Sequence, residues 1–306
     1  MDIRRVRTWI AAALAALLVC TGARAAEAPA KVVMAEIAAH PALWTVHGPK
    51  GTAYLFGSIH ILPPNMRWHS PKIDAAMKDA DTFVFEIPMD DTTKAQVMDF
   101  VRANAILPQS QTLPGLLDDK ARKDYEAVLA LSHVPAARLA DKRPWYALLV
   151  LELGYLMQRH LSPDAGVDRE VYRDAVAEGG KEFRAFETPE QQFRLLMPAD
   201  RTLEIDEFDE GLKELLHDQG SLGNLIDAWA DGNAKRLGRL MNADIKSDPK
   251  VEKALFTDRN RNWTNQIAGM LDEKHTYFIT VGAGHLCGPG GVPAMLRAKG
   301  FKVDGP

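Results

Sequence analysis

Two Gly-x-x-His tetrapeptides are the residues of this sequence that point most directly to chemistry. They occupy residues 57–60 and 282–285, and each follows a run of apolar and β-branched residues typical of a buried strand. The glycines let the backbone turn sharply where each strand ends. The pattern therefore predicts that His60 and His285 lie just beyond two strands, where an imidazole can bind a metal ion or accept a proton.

Two glutamates end apolar runs in the same way. Glu86 follows the run 82–85, and Glu187 closes the run 183–187. Ligands bind outside the carboxyl ends of strands in open α/β sheets, so we expect these glutamates and both histidines to meet in one crevice. Two imidazoles with one or two carboxylates suit a Zn, Mn or Fe ion that keeps positions open for water or substrate.

Simpler interpretations exist for several of these residues. A strand-end histidine can cap a loop, and Cys287, close after His285, can be a small packed residue rather than a nucleophile or a soft ligand. Arg259 and Asn260 precede Trp263 in a pattern that favours the polar side of a helix. In the alternative interpretation, Arg259 orients a carboxylate through two hydrogen bonds.

Several common catalytic and binding motifs are absent from the sequence. It has no H-E-x-x-H zinc-protease motif and no G-x-S-x-G nucleophile motif. Gly282, Gly284 and Gly288 approximate a dinucleotide fingerprint, but the last glycine comes one residue late and no acidic partner is evident. The paired histidines and glutamates therefore remain the main candidates for function.

The elements that must position these residues follow from the hydrophobic pattern. Residues 43–46 and 52–56 flank a Gly/Pro turn and predict a hairpin. The apolar strand before Glu86 implies burial on both faces, as in a parallel sheet covered by helices. Helical patterns cover 71–77, much of 92–165, 166–177, 203–245 and 249–271. The expected fold class is α/β, mostly helical, with a central, largely parallel sheet and an N-terminal hairpin.

Composition and charge restrict the class of protein. Of the 306 residues, 46% are hydrophobic and 25% are charged, as in an ordinary globular protein. The formal charge of -4 argues against nucleic acid as a partner, because phosphate binding needs a basic face.

The first 25 residues have the pattern of a secretory signal peptide. Arginines at 4, 5 and 7 precede an apolar run at 9–19, and a small-x-small cleavage site ends at Ala25. The run is shorter than the roughly 20 residues of a transmembrane helix, and Val19 before Cys20 does not suit a lipoprotein site. We expect cleavage near Ala25, a mature chain 26–306 that forms one domain without a transmembrane segment, and a periplasmic or secreted location.

With these motifs in order, the chain resembles the TraB/GumN (TraB/PrgY/GumN) family. The resemblance runs from about residue 43 to 303, and the two Gly-x-x-His motifs with the R-N-x-x-W segment at 259–263 make it specific. The other matching segments are 43–44, 54–60, the strand ending in Glu86, 166–168, 186–188 with Gln191 and Gln192, and 281–288. Ser58 departs from the usual threonine, and Cys287 from the usual aliphatic residue.

The resemblance implies an α/β domain related to the erythromycin esterase/ChaN-like group. It implies relation to TIKI-type metalloproteases, which are metal-dependent proteases that trim a secreted signalling protein, while plasmid-encoded members shut down a peptide pheromone. The family's two motif histidines match His60 and His285, and its acidic residue matches Glu86. Glu187 and Arg259 match further family positions.

We therefore expect an exported metal-dependent hydrolase that acts on a peptide or protein substrate. A divalent metal ion (Zn, Mn or Co) would be held by His60, His285 and Glu86, unless Glu86 is the general base, and Glu187 would take the remaining role. Arg259 would position a substrate carboxylate or the developing oxyanion. The opposing hypothesis is a non-catalytic protein that binds haem through the strand-end histidines or sequesters a peptide.

Overall fold

The central element of the structure is a six-stranded sheet. The structure is a computed structural model that describes residues 35–197, 200–218, 220–245 and 249–306, so the signal peptide predicted at 1–25 lies outside the described residues. The sheet has the strand order β6-β5-β7-β3-β2-β8, and a separate pair is formed by β1 and β4. The strands are β1 (Ile37–Ala38), β2 (Leu43–His47), β3 (Thr52–Ser58), β4 (Met66–Arg67), β5 (Thr82–Phe85), β6 (Glu182–Ala185), β7 (Thr276–Gly282) and β8 (Lys302–Asp304).

The middle of the sheet is parallel, as the sequence predicts. Strands β6, β5, β7 and β3 run in the same direction, whereas β2 pairs antiparallel with both β3 and β8. The β2–β3 pair is the predicted N-terminal hairpin. The expected α/β class with a central, largely parallel sheet is therefore confirmed.

Helices make up most of the rest of the described chain. They are α1 (Pro71–Asp79), α2 (Asp91–Asn104), α3 (Leu113–Leu116), α4 (Asp119–Ser132), α5 (Ala136–Leu139), α6 (Pro144–Gln158), α7 (Val167–Glu178), α8 (Pro189–Leu196), α9 (Arg201–His217), α10 (Ser221–Ala230), α11 (Ala234–Ile245), α12 (Pro249–Glu252), α13 (Asp258–Met270) and α14 (Val292–Ala298). Short 3₁₀ turns cover Pro163–Ala165 and Ala283–Leu286, and a π-turn covers Lys253–Thr257.

The two faces of the sheet are buried by different helices. On one face, Phe56, Phe83 and Phe278 pack in a core cluster that includes Val167 and Val171 of α7. On the other face, the cluster combines strand residues with helix residues, namely Leu55, Val84, Ile279, Trp263 of α13 and Leu296 of α14. Burial on both faces explains the continuous apolar sequences of β5 and β7, whereas the edge strand β6 is partly exposed.

The predicted helical stretches at 203–245 and 249–271 are each divided. Gly220 separates α9 from α10 and Gly232 separates α10 from α11, and both glycines have left-handed backbones with φ of 85° and 65°. L-residues with side chains rarely adopt this conformation, so the two glycines allow the turns. In the second stretch, the π-turn at Lys253–Thr257 precedes α13. Hydrophobic periodicity alone did not reveal these breaks.

Among the described residues, no helix combines the length and apolar character needed to cross a bilayer. The most apolar stretch, α6, has 15 residues. Its side chains are buried against α4 and α9 instead.

One charged side chain lies in the core of this helical region. Glu152 of α6 is only 1% exposed. Neither of its carboxylate oxygens has a hydrogen-bond partner among the residues that the structure describes. Burial, and secondarily the negative charge of Glu214, raises the pKa of Glu152 well above its usual value. The carboxyl group is therefore protonated in the folded protein under conditions where an exposed glutamate is ionised.

Glu152 should make the stability of the protein decrease as the pH rises. The folded state keeps a proton that the unfolded chain has released, so the free energy of unfolding falls above the ordinary pKa of glutamate, by up to about 1.4 kcal/mol per pH unit. We predict that Glu152→Gln removes this fall and gains stability relative to the parent as the pH increases. Urea denaturation between pH 5 and about pH 9 measures the difference.

The matched control is Glu126→Gln, a change at an exposed position of the neighbouring helix α4. It should show the same pH dependence as the parent. A Glu152→Gln protein whose stability curve runs parallel to that of the parent across this range would contradict the buried, protonated carboxyl.

Candidate functional site

The four predicted side chains are carried to one edge of the sheet. Glu187 follows β6, Glu86 follows β5, His285 lies in the 3₁₀ turn after β7, and His60 lies just beyond β3. These four strands are parallel and adjacent, so all four residues lie at the same carboxyl-terminal edge. A cleft of about 1170 Å³, partly open to solvent, is lined there by His60, Glu86, His285 and Arg259.

Arg259, at the start of α13, holds three of these strand ends together. Its Nε and Nη2 donate to the two oxygens of Glu187 at 2.8 and 3.0 Å, and Nη2 also donates to Glu86 Oε2 at 2.7 Å. Its Nη1 donates to His285 Nε2 at 3.1 Å and to the Leu255 carbonyl at 3.2 Å. The side chain is 7% exposed. Each of the five guanidinium N–H groups therefore has an acceptor.

The Arg259 guanidinium contacts both carboxylates, but the pKa values of Glu86 and Glu187 shift in opposite directions. Burial alone would raise the pKa of Glu86, but the positive charge of Arg259, the largest opposing effect, outweighs it and the pKa is lowered to about 2. Burial raises the pKa of Glu187, and the hydrogen bonds from Arg259 offset this only in part. Glu86 is consequently an anion throughout the neutral range.

Two further contacts hold Glu86 in place. Gln192 of α8 donates from Nε2 to Glu86 Oε2 at 2.6 Å, and the Gly282 N–H donates to Oε1 at 2.7 Å. Thr188 caps the N-terminus of helix α8 in a capping box closed by Gln191, which places Gln192 one residue later. Gln192 was not among the predicted site residues, although the segment that contains it belongs to the resemblance.

His285 is held as a neutral imidazole. Asn260 Nδ2 donates to the Gly290 carbonyl at 2.8 Å, which turns Asn260 Oδ1 toward His285 Nδ1 at 2.6 Å. An amide oxygen only accepts, so Nδ1 carries the proton and Nε2 accepts from Arg259. Burial, and then the positive charge of Arg259, lowers the pKa of His285 to about 3.

This hydrogen bonding bears directly on the predicted metal site. Both nitrogens of His285 are engaged, so this side chain has no lone pair for a metal unless Arg259 Nη1 moves away. In the described parts of the chain, no group of three or more His, Cys, Asp or Glu side chains is arranged to hold a metal ion. As arranged, His60, His285 and Glu86 do not fit a three-ligand site. Their role as metal ligands stays a prediction that requires Arg259 to be displaced.

His60 is the histidine of the site with an open nitrogen. Its Nδ1 lies 2.5 Å from Asp168 Oδ2, while its Nε2 has no hydrogen-bond partner among the described residues. The ring is 27% exposed. Burial lowers the pKa of His60, but the Asp168 carboxylate and then Glu86 more than compensate, so the pKa is raised above its usual value of 6.5. The neighbouring carboxylates therefore favour the protonated form of this ring.

The segment 166–168 explains how Asp168 reaches His60. A Cβ on Gly166 would lie 2.3 Å from the His60 carbonyl oxygen, so only glycine permits the approach. The Val167 N–H then donates to the Ile59 carbonyl at 3.0 Å, and Asp168 occupies the first turn of α7. Sequence reasoning did not include Asp168 in the site. The Gly-Val-Asp segment of the resemblance was the signal that could have identified it.

Two other sequence interpretations are now decided. The preference for a polar helix side at Arg259 and Asn260 is wrong, because both are buried and bind strand-end residues. Cys287 is buried, and burial raises the pKa of its thiol to about 12. A thiolate nucleophile at neutral pH is therefore not available at Cys287.

Comparison with known proteins agrees with the motifs that meet in the cleft. The model of the TraB/PrgY/gumN family matches residues 42–305. The chain belongs to this family. An uncharacterized protein of Treponema pallidum (strain Nichols) is 19% identical over 84% of this chain and 80% of its own length.

The uncharacterized proteins YbaP of Shigella flexneri and of Escherichia coli (strain K12) are similar at the same level. Each is 22% identical over 80% of this chain, which corresponds to 88% and 87% of their own lengths. No solved structure matches the chain significantly. These relatives are uncharacterized, so the activity has to be argued from the site.

The contact between Asp168 and His60 predicts a change in titration. Asp168→Asn removes the carboxylate that raises the pKa of His60, so His60 should titrate at a lower pH than in the parent. An NMR titration of the histidine ring protons measures this, with the His60 signal assigned by its loss in His60→Gln.

Asp74→Asn is the matched control, since Asp74 Oδ1 lies 2.6 Å from Nδ1 of the exposed His69. It should leave the titration of His60 unchanged. Equal midpoints for His60 in the parent and in Asp168→Asn would show that the carboxylate does not control this ring.

Proposed function

We propose that this chain is an exported hydrolase, with peptide bonds as its substrate class, in which His60 activates the attacking water. The observation that carries this proposal is the His60–Asp168 pair, whose one open imidazole nitrogen lies in the cleft. Asp168 accepts a hydrogen bond from the Nδ1–H of neutral His60, which leaves the lone pair of Nε2 available to act as a general base. The peptide substrate rests on the family resemblance.

Gly282 leaves room for a reacting atom beside His60. A Cβ at this position would lie 3.1 Å from Glu86 Oε1, 3.6 Å from His285 Cδ2 and 3.9 Å from His60 Nε2. The backbone of Gly282 has φ of -49°, which any residue adopts, so space rather than conformation is what glycine provides here. The missing Cβ therefore lets Glu86, His285 and His60 converge above the Gly282 backbone, and the proposed water lies between the general base His60 and the Glu86 carboxylate, which is ionised at neutral pH.

The proposed step uses the charges of the site in a defined way. His60 Nε2 removes a proton from water as the oxygen attacks the carbonyl carbon, and Asp168 stabilises the imidazolium that forms. Glu86 orients the water and favours the same positive charge, because it is anionic and close to His60. The proton on Nε2 can then pass to the leaving amine.

Arg259, Glu187 and His285 act through Glu86 as positioning residues. The five N–H groups of Arg259 are all engaged, so this arrangement supports a role in holding Glu86 rather than a direct contact with substrate. The earlier assignments of Glu187 as acid or base and of Arg259 as an oxyanion donor are replaced in this proposal.

Export is supported by the leader pattern of the sequence. The basic start, the short apolar run and the cleavage site near Ala25 indicate secretion, and a periplasmic or secreted location follows. The exported hydrolase then meets peptides outside the cytoplasm. Proteomic detection of a mature N-terminus near residue 26 in the extracytoplasmic fraction tests this part of the proposal.

Loss of the His60 imidazole should abolish most of the hydrolysis. A peptide library incubated with the protein and followed by mass spectrometry identifies a cleaved substrate, for which kcat/KM is then measured. His60→Gln should lower kcat/KM by about 10²- to 10⁴-fold. In the parent, kcat/KM should rise with pH and have its midpoint above the usual 6.5, since the base must be deprotonated and its pKa is raised.

His69→Gln is the matched control, because His69 is also paired with an aspartate but lies exposed outside the cleft. It should retain parental activity. Hydrolysis of the same peptide at equal rates by the parent and by His60→Gln contradicts the mechanism, and binding of peptides without any cleavage by the parent indicates a sequestering protein.

A metal-dependent form of this hydrolysis is the second candidate. The observation that favours it is the hydrogen bond between His60 Nδ1 and the Asp168 carboxylate. Metal-binding histidines usually donate the N–H of their other ring nitrogen to such a partner. His60 Nε2 and Glu86 Oε1 would be the donors, and a bound divalent metal would lower the pKa of water. His285 could join them only after Arg259 releases it.

Elemental analysis separates the two candidates. The parent and a His60→Ala/His285→Ala double variant are produced in cells grown with Zn, Mn and Co supplied. The mature proteins are then purified and their metal contents are compared. Stoichiometric metal in the parent that disappears in the double variant supports the metal-dependent form. Equal, low metal contents with hydrolysis that survives chelator treatment support the general-base form.

A further inference from the structure

The buried hydroxyl groups of Ser58 and Thr280 lie at the floor of the cleft and take no part in the proposed mechanism. Ser58 is the last residue of β3, and Thr280 lies two residues before the end of β7. Both residues line the cleft. They are 2% and 1% exposed, and neither hydroxyl has a hydrogen-bond partner among the described residues. Buried polar groups without partners are rare in folded proteins and call for a specific reason.

The register of the sheet places these hydroxyls on the same side. Phe56 of β3 pairs with Thr280 of β7, and Ser58 pairs with Gly282. Side chains alternate along a strand, so residues 56 and 58 share a face with residues 280 and 282. Ser58 and Thr280 therefore lie, on two neighbouring strands, on the face of the sheet that Gly282 shares, and the missing side chain of Gly282 lets Glu86, His285 and His60 converge there.

The donors of Arg259 and the backbone N–H of Gly282 are already engaged. The N–H groups of Arg259 are bound to carboxylates, His285 and a carbonyl, and the Gly282 N–H is bound to Glu86. The Ser58 and Thr280 hydroxyls can still donate. A carbonyl under attack gains negative charge on its oxygen, and fixed donors directed at that oxygen lower the barrier.

We propose that the Ser58 and Thr280 hydroxyls bind the carbonyl oxygen of the scissile bond and stabilise the oxyanion that forms when water attacks it. This inference rests on the proposed hydrolase function. It assigns to the two strand-end hydroxyls the contact that Arg259, with its donors engaged, does not supply. The O–H bonds stay intact throughout, and negative charge develops on the substrate oxygen as the water proton passes to His60.

The test separates a hydroxyl that acts on substrate from one that stabilises the fold. Thr280→Val and Ser58→Ala remove the hydroxyls with little change in shape, whereas Thr280→Ser keeps one. The matched control is Thr82→Val at the opposite end of the sheet, where Thr82 Oγ1 donates to Asp81 Oδ1 at 2.7 Å. Thermal unfolding, kcat and KM are measured for all four variants with the peptide found for the parent.

We expect Thr280→Val and Ser58→Ala each to lower kcat by about 10²-fold, with KM changed by less than about threefold. Their unfolding temperatures should equal or exceed that of the parent, because no hydrogen bond of the described structure is lost. Thr280→Ser should keep most of the activity. Thr82→Val should show the reverse pattern, with a lower unfolding temperature and parental kcat.

Parental kcat in both hydroxyl variants, with the parent and the His60→Gln protein behaving as expected, overturns this inference alone. A reduced unfolding temperature with parental kcat shows that the hydroxyls are structural and overturns it as well. If the parent neither cleaves nor binds any peptide, the proposed function fails and the oxyanion role fails with it.

Discussion

A buried positive charge is the constraint on which the site depends. Removing a guanidinium from water costs several kcal/mol unless each of its N–H groups finds an acceptor. Arg259 meets this requirement with two carboxylates, an imidazole and a carbonyl. The acceptors come from the ends of three adjacent strands and from the turn before α13. The ion cluster can therefore form only when the parallel sheet is correctly assembled.

The same cluster divides the chemistry of the site between its two histidines. His285 Nε2 accepts a hydrogen bond from Arg259, and its Nδ1–H donates to Asn260, so the ring is neutral and both of its nitrogens are engaged. His60 lies at the other side of the cleft and contacts Asp168 instead, so its pKa is raised and its second nitrogen stays open. Two Gly-x-x-His tetrapeptides thus hold histidines whose pKa values are shifted in opposite directions, since their neighbours differ in charge.

The residues that contact the two histidines come from helices on opposite faces of the sheet. Helix α13, which packs on one face, contributes Arg259 and Asn260, whereas helix α7 on the other face contributes Asp168. The carboxyl-terminal edge is where groups from both faces can reach one space. Two of the buried groups without a partner in the described structure, the hydroxyls of Ser58 and Thr280, line the cleft at this edge, where a ligand could satisfy them. The others, on Asn65, Tyr125, Glu152 and Asp209, lie outside the cleft.

Much of this architecture could be derived from the sequence by itself. Apolar strands, the hairpin turn and the glycines before His60 and His285 carry local signals, because strand burial and sharp turns restrict residue type position by position. From these signals follow the α/β class, the family, and the placement of two histidines and two glutamates at strand ends.

Only the tertiary structure decided which groups those side chains contact. Asp168 is 108 residues from His60 along the chain, and Arg259 is 173 residues from Glu86. No local sequence pattern indicates such contacts. The sequence therefore predicted that Arg259 lies on the exposed polar face of α13, whereas the structure buries it. Whether an imidazole can serve as a base, a ligand or neither depends on which donors and charges surround it. Those neighbours are set by the packing of helices on the two faces of the sheet.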